Sequence, residues 1–176
     1  MTPIVFRILG TPAPGGSKTA FVLRRKGGAI VTRPNGSPMV NITDAGGQAN
    51  KIWKRNVAIE ARRIFAKPLP DIALSVEFRF FVKRPKSHYR GQDIQRGLRP
   101  DAPKFPKGKP DALKFGRSTE DALTGVAWID DAANVDVICR KRYADEGWTG
   151  VEITIIPLED VAPHRERAKS LFTERA

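Results

Sequence analysis

Five carboxylates fall close together in an otherwise basic chain: Asp111, Glu120, Asp121, Asp130 and Asp131. Just upstream, residues 84–110 hold eight cations, among them Arg84, Lys86, Arg90, Lys104, Lys107 and Lys109, against Asp93 and Asp101 alone, which leaves +6 in that segment. Oxygen donors beside a field of cations have an electrostatic logic. A hard divalent ion such as Mg²⁺ takes carboxylates and waters, polarises a phosphoryl oxygen and helps to deprotonate an attacking water, while lysines and arginines hold the phosphate backbone against it. A neighbouring cation stabilises the charge that develops in the transition state. The pattern is that of metal-dependent phosphodiester hydrolysis.

Each carboxylate also has a plainer use. Asp111 follows Pro110 and precedes a helical pattern, which suits an N-cap. Glu120 and Asp121 stand at i+3 and i+4 from Arg117, within reach of a helix-surface ion pair. Asp130-Asp131 suits a turn before a strand.

The rest of the composition bounds the setting. A chain of 176 residues, 40% hydrophobic, is sized for one domain with a real core. Its net charge of +12, at a pI near 10.3, points to a polyanionic partner, nucleic acid first, although ribosome-like structural proteins and membrane-surface binders share it. Cys139 is the single cysteine and His88 and His164 the only histidines, so no intramolecular disulfide and no Cys/His zinc cluster is possible, and a reducing cytoplasm fits. Arg7 interrupts the N-terminal apolar run, and no window approaches the ~20 apolar residues that span a bilayer, so a soluble intracellular protein without a signal peptide is expected.

The elements that must position the carboxylates follow from periodicity. Residues 2–9 read as a strand ended by Gly10. The loop at 11–18, with Gly15-Gly16 and Lys18, is either a structural turn or a DNA-backbone contact, and it lacks the residue order of a nucleotide-binding P-loop. Residues 20–24 and 29–33 flank Arg25-Lys26-Gly27-Gly28 and suggest a hairpin with a basic tip. Asp44 is placed to cap a helix carrying Ile52, Trp53, Val57, Ile59, Ala61, Ile64 and Phe65 up to Pro68. Its opposite face bears Lys51, Lys54, Arg55, Arg62 and Arg63, solvated or set against DNA.

Residues 72–83 alternate as a strand with one buried face. The aperiodic 84–110 segment is expected to be mobile alone and ordered by phosphates. A helix at 112–124 ends at Gly125, and two strands at 134–143 and 149–157 are joined by a turn around Asp145-Glu146-Gly147. A charged tail occupies 158–176, and neither an internal repeat nor a domain boundary is visible.

Within this frame lie Lys109-Pro110-Asp111, Asp121-Ala122-Leu123-Thr124-Gly125, Trp128-Ile129-Asp130-Asp131, Lys141-Arg142-Tyr143 and Gly150-Val151-Glu152-Ile153. In order and spacing, over roughly 45 residues, they closely resemble the RusA family of Holliday junction resolvases. Upstream, the stretches Pro12–Lys18 and Arg84–Tyr89 are similar to phage-encoded members, so the resemblance covers most of the chain. It implies a homodimeric α+β endonuclease, a single domain with a mixed or antiparallel sheet packed with two main helices. Such an enzyme binds four-way DNA and nicks two strands of like polarity symmetrically with Mg²⁺ or Mn²⁺, in recombination and repair.

The family motif has the form Pro-Asp-x-Asp-Asn-x-x-Lys, then Asp-Ala-Leu, then Asp-Asp. By that match Asp111 and Asp131 are expected metal ligands, with Asp130 beside them. The chain departs from the motif at Leu113, which replaces the second aspartate, at Lys114, which replaces the asparagine, and at Arg117, which replaces the catalytic lysine.

Helix geometry offers a replacement carboxylate: Glu120 lies seven residues on from 113, on nearly the same face, with Asp121 the other candidate. We expect Glu120 to restore the lost ligand and Arg117 to stand near the scissile phosphate, although seven residues rise about 10.5 Å along a helix and Glu120 reaches the same ion as Asp111 only if the axis points across it. Phosphate contacts are expected from Lys18, Arg84, Lys86, Arg90, Lys104, Lys107, Lys109 and Lys114. The rival expectation is a DNA- or junction-binding protein whose site died with the loss at Leu113. A ribosomal or packaging protein explains the +12 but not the carboxylates.

Overall fold

The computed structural model describes residues 2–16, 18–44, 46–145 and 147–158, so the expected charged tail lies outside the described residues from position 159 onward. Eight regular elements follow in order: β1 (Ile4–Leu9), β2 (Lys18–Val22), β3 (Val40–Asp44), α1 (Gly47–Ile64), β4 (Leu74–Val82), α2 (Ala112–Leu123), β5 (Asn134–Tyr143) and β6 (Gly150–Pro157). The class is α+β, with a mixed sheet and two helices, as the sequence leads one to expect.

The main sheet has the order β1-β6-β4-β5, antiparallel except where β4 and β5 run parallel. Its centre is β4, whose alternate residues Leu74, Val76, Phe78 and Phe80 are all fully buried. Facing them are Trp53, Val57 and Ala61 of α1 and Phe115 and Leu123 of α2, so both helices cover one face of the sheet. The opposite face carries a ladder of charge across all four strands. Arg7 pairs with Glu152 at 2.8 Å, Glu152 with Arg79 at 3.1 Å, Arg79 with Glu77 at 3.1 Å and Glu77 with Arg140 at 2.8 Å. Such half-exposed pairs contribute little stability each, ~0–1 kcal/mol, and their role is to give the uncovered face a polar surface.

Several local expectations are corrected. Helix α1 begins at Gly47, with Gly46 at the N-cap position and no side-chain cap, while Asp44 is the last residue of β3. Only the line at i, i+4 and i+8 (Trp53, Val57 and Ala61) meets the sheet, so Ile52, Ile59 and Ile64 stay exposed at 61, 41 and 45%. The strands at 134–143 and 149–157 are not neighbours, because β4 lies between β5 and β6 and bonds to both. With four buried apolar residues on one face, β4 is the strand whose two edges are best buried by pairing. The hairpin expected from 20–24 and 29–33 forms across its basic tip, with an Arg24–Ile30 bridge, Arg25 N–H bonded to the Ala29 carbonyl at 2.8 Å and Val31 N–H to the Leu23 carbonyl at 2.9 Å, while β2 itself pairs with β3. A second tight turn, with Gly36 at φ +80° donating to the Arg33 carbonyl at 2.9 Å, brings the chain back and makes that pairing possible.

Residues 84–110 contain three short 3₁₀ turns, at Lys86–His88, Arg90–Gln92 and Ile94–Arg96. Arg84 roots the segment. It is 6% exposed, its guanidinium grips Asp145 through two bonds of 2.8 Å and the Pro103 carbonyl at 2.7 Å, and it stacks 3.9 Å above the Tyr143 ring. Arg84 is therefore an internal anchor, not one of the expected phosphate contacts. A planar fork with partners on several sides suits burial better than a surface role.

The Arg84 hydrogen bond holds the Asp145 carboxyl below its ordinary value of 3.8. A depressed carboxylate stabilises the fold fully above its unfolded value and loses that contribution as pH falls through the folded one. The urea midpoint of Asp145→Asn should thus decline less steeply than that of the native chain as pH drops below about 4. Parallel declines would remove this pair as a source of acid sensitivity.

Candidate active site

Helix α2 carries the site, and two contacts fix it. Trp53 Nε1–H donates to Thr119 Oγ1 at 3.1 Å, and the Ser118 hydroxyl donates to the Asn50 side chain, tying α2 to α1. On its other flank α2 approaches β5 so closely that a Cβ at Gly116 would lie 2.3 Å from Cys139 Sγ. Glycine lets the helix come that close, since a Cβ there would force the sulfur or the helix to move. A Gly116→Ala change should destabilise the native chain by about 1–2 kcal/mol through overpacking, but stabilise a Cys139→Ala chain by about 0.5–1 kcal/mol, where helix propensity alone remains. The same sign in both backgrounds would show that the sulfur is not the constraint.

The Gly-rich loop packs against the same helix. Gly15 N–H donates to the Lys114 carbonyl at 2.9 Å, and a Cβ at Gly16 would come within 2.6 Å of Arg117 Cδ. The loop is thus a structural seat for the Arg117 stem. Lys141, which chemistry-based reading of the sequence passed over, donates to the carbonyls of Gly108 at 2.6 Å and Pro110 at 2.7 Å. It pins the end of the basic segment to β5 one residue before Asp111. Its signal in the sequence is its place in the Lys141-Arg142-Tyr143 stretch that carries the family resemblance, which assigns it no role.

A groove between α2 and β5 is lined by Leu113, Gly116, Arg117, Glu120, Asp121, Asp131, Val137 and Cys139 and has a volume of about 330 Å³. Leu113, Arg117 and Glu120 do share a helix face, and Asp131 comes to meet them from the turn before β5. Asp111 lies elsewhere: at the N-cap of α2 it lines a neighbouring concavity with Pro14, Gly15, Lys109, Pro110 and Lys114. Its carboxylate makes no capping bond, and its nearest cation is Lys114 Nζ at 3.9 Å. Asp130 accepts a bond from Ala132 N–H at 2.9 Å and so takes the plainer role of closing the turn. Asp121 is held by Lys54 Nζ at 2.6 Å, and neither it nor Glu120 pairs with Arg117 as a simple helix-surface reading suggests.

Glu120 is half-buried and accepts a bond from Asn134 Nδ2 at 2.9 Å, a partner that no local sequence pattern announces. Burial pushes its carboxyl above the ordinary range, the charges of Asp131 and Asp121 push the same way, and the Asn134 bond and Arg117 oppose them. Cys139 is half-buried, and that burial, with the nearby Glu120 charge, pushes its thiol up to about 11, which keeps it protonated at neutral pH.

No three Asp, Glu, His or Cys side chains converge to cage an ion among the described residues. Hard oxygen donors from Glu120 and Asp131 nevertheless fit the way Mg²⁺ is usually held, by one or two carboxylates completed by waters and substrate phosphates. A cation beside them would relieve the repulsion that adds to the effect of burial on Glu120. Of the remaining expected contacts, Lys18, Lys86, Arg90, Lys104, Lys107, Lys109 and Lys114 are all exposed, and none reaches the α2–β5 groove lining.

A basic α+β domain with carboxylates in an open groove and an arginine beside them fits the class of phosphodiester-cleaving nucleases. The model of the family Endodeoxyribonuclease RusA matches residues 32–156, and the chain belongs to that family. The match spans the mixed sheet from β4 onward, both helices and the whole groove. No curated protein sequence matches the chain. The family is one of divalent-metal-dependent nucleases that resolve DNA junctions. No described helix is long and apolar enough to cross a membrane.

Proposed function

We propose that the chain is a Mg²⁺-dependent, structure-selective endodeoxyribonuclease that acts as a homodimer in the cytoplasm, resolving Holliday junctions by paired symmetric nicks in recombination and repair, and that it is of phage or prophage origin. The observation that carries the catalytic part is the meeting of Glu120 and Asp131 in one groove with Arg117, on the helix face where Leu113 leaves the family ligand missing. When bound there, a divalent cation would supply Lewis-acid polarisation of the phosphoryl oxygen and a lowered pKa for an attacking water. Glu120 and Asp131 would hold it, with Asn134 fixing the Glu120 carboxylate. Asp111, one concavity along α2, and the exposed Asp130 and Asp121 flank the site and complete its negative side.

Arg117, its stem seated on Gly16, presents a fixed cation to the non-bridging oxygens of the scissile phosphate as charge builds up on them. Lys109 and Lys114 line the neighbouring concavity with Asp111, and Lys86, Arg90, Lys104 and Lys107 extend the cation field along the 84–110 segment. Binding through phosphates, without a base-reading helix, leaves selectivity to the shape of the DNA.

The deciding experiment is nicking of an end-labelled four-way junction with Mg²⁺ or Mn²⁺ against EDTA. Two symmetric nicks that require the metal are expected. Tight binding without nicks in either metal would instead assign the chain to catalytically impaired junction binders.

A further inference from the structure

We propose that the ribbon formed by β2, β3 and the turns between them is a second DNA-binding element that lies against a duplex arm of the substrate, apart from the catalytic groove. The proposal rests on the nucleic-acid part of the functional reading but not on cleavage. β2 and β3 pair only with each other, as a two-stranded sheet separate from the main one. Residues 23–39 extend the ribbon through two tight turns, closed by Gly28 N–H to the Arg25 carbonyl at 2.8 Å and Gly36 N–H to the Arg33 carbonyl at 2.9 Å.

From residue 18 to 44 the ribbon has Lys18, Arg24, Arg25, Lys26 and Arg33 against a single acid, Asp44, which stands opposite Lys18 at the base and away from the tip. Outside it several arginines find carboxylates, Arg7, Arg79, Arg84, Arg99 and Arg140 each in an ion pair, although Arg55, Arg62, Arg90, Arg117 and Arg142 do not among the described residues. On the ribbon Arg24 bonds only a carbonyl, that of Gly28 at 2.9 Å, and Arg25, Lys26 and Arg33 have no carboxylate partner among the described residues. Clustered like charges that stabilise nothing within the chain repel one another, and a polyanion removes that repulsion.

Shape agrees with charge. A two-stranded β-ribbon is of the size that the major groove of B-DNA admits. Five-residue strands reach roughly 17 Å before the tip, about the length of five base pairs. By register Val22 faces Val40 and Ala20 faces Ile42, so one side of the ribbon is apolar and exposed (Val22 37%, Val40 45%, Ile42 62%), a surface suited to deoxyribose edges and thymine methyls. The ribbon is rooted beside the Asp111 concavity, since Gly15 bonds α2 at one end and a Cβ on Gly46 would meet the Pro14 carbonyl at 2.4 Å at the other. The family match begins only at residue 32, so β2 and the tip at 25–28 are outside the matched residues.

The test compares the full chain with its triple variant Arg25→Ala/Lys26→Ala/Arg33→Ala, by anisotropy across a KCl series, on a four-way junction with arms of about 20 base pairs and on a linear duplex of similar length. The log–log slope should become shallower by about 2.7 for each chain engaged, on both substrates, since each lost phosphate contact removes about 0.9. The three side chains are exposed, so the thermal midpoint and the rate of nicking within the bound complex should not change. Equal slopes on both substrates would overturn the proposal, and a difference on the junction alone would overturn the placement on duplex. If light scattering shows that the variant has lost its dimer, the ribbon is a contact between copies and the proposal fails. Absence of nicking by the native chain would defeat the functional reading but leave the slope difference interpretable.

Discussion

Glu120→Gln is expected to lower the rate of junction nicking by about 10²–10³-fold while leaving junction affinity unchanged, because a carboxylate that holds a catalytic cation supports several kcal/mol of transition-state stabilisation. The substitution is a clean one. Gln keeps an acceptor for Asn134 Nδ2, now at 2.9 Å from Oε1, and fills the same volume. Nor should it weaken the fold. Burial and the charges of Asp131 and Asp121 raise the Glu120 carboxyl, so its ionised form costs stability as pH rises through its unfolded and then its folded value, and a neutral amide avoids that cost at neutral pH. Loss of rate with equal or higher urea resistance would therefore locate the defect in chemistry. The converse change is equally informative: Leu113 is 71% exposed on the same groove, so Leu113→Asp added to Glu120→Gln should recover part of the rate. Native-like nicking by the Glu120→Gln chain would exclude Glu120 as the stand-in for the missing ligand.

The second large effect is on stability. Trp53→Ala should cost about 3–5 kcal/mol, a large share of the ~5–15 kcal/mol that holds a domain folded. Trp53 is 2% exposed, fills the space between α1 and the sheet, and donates to Thr119 Oγ1, which itself bonds the Phe115 carbonyl at 2.9 Å. Trp53→Phe keeps most of the volume and gives up the hydrogen bond, so a loss nearer 1 kcal/mol is expected, read as the difference between two urea unfolding curves. Equal losses for the two variants would mean that the bond to α2, and not the ring, carries the effect. Because α1 is what α2 rests on, Trp53→Ala should also slow nicking in conditions where the chain is still folded.

The lessons of particular elements differ. β4 was legible because its buried and partly buried residues alternate from Leu74 to Phe81, and alternation is the whole of what a half-buried strand requires. Helix α1 was legible as an element but not in detail, because apolar residues spaced at Ile52, Ile59 and Ile64 follow a helical period without facing the sheet. The shared face of Leu113, Arg117 and Glu120 could be read from spacing alone, since 3.6 residues per turn is a local property. That Glu120 meets Asp131 and Asn134 and not Asp111 could not, because it depends on how α2 lies across β5, and that in turn depends on Gly116 admitting a sulfur from a strand 23 positions away. Arg84 shows the same limit: among eight cations in one segment, only the position of Asp145 and Tyr143 separates the buried anchor from its exposed neighbours.

By itself, then, the sequence determined the partner class, the family resemblance, the main secondary elements and the inventory of carboxylates. Charge, composition and periodicity are properties summed along the chain, and folding does not change them. Which of those groups stand side by side depends on the packing of the elements. It put β4 between β5 and β6, turned Arg84 inward, committed Asp130 to a turn and Asp121 to Lys54, and left Glu120 and Asp131 in one groove with Arg117. The physical reason is that burial, hydrogen-bond partners and carboxylate repulsion are set by neighbours in space, which here come from α1, α2, the turn before β5 and the Gly15-Gly16 loop.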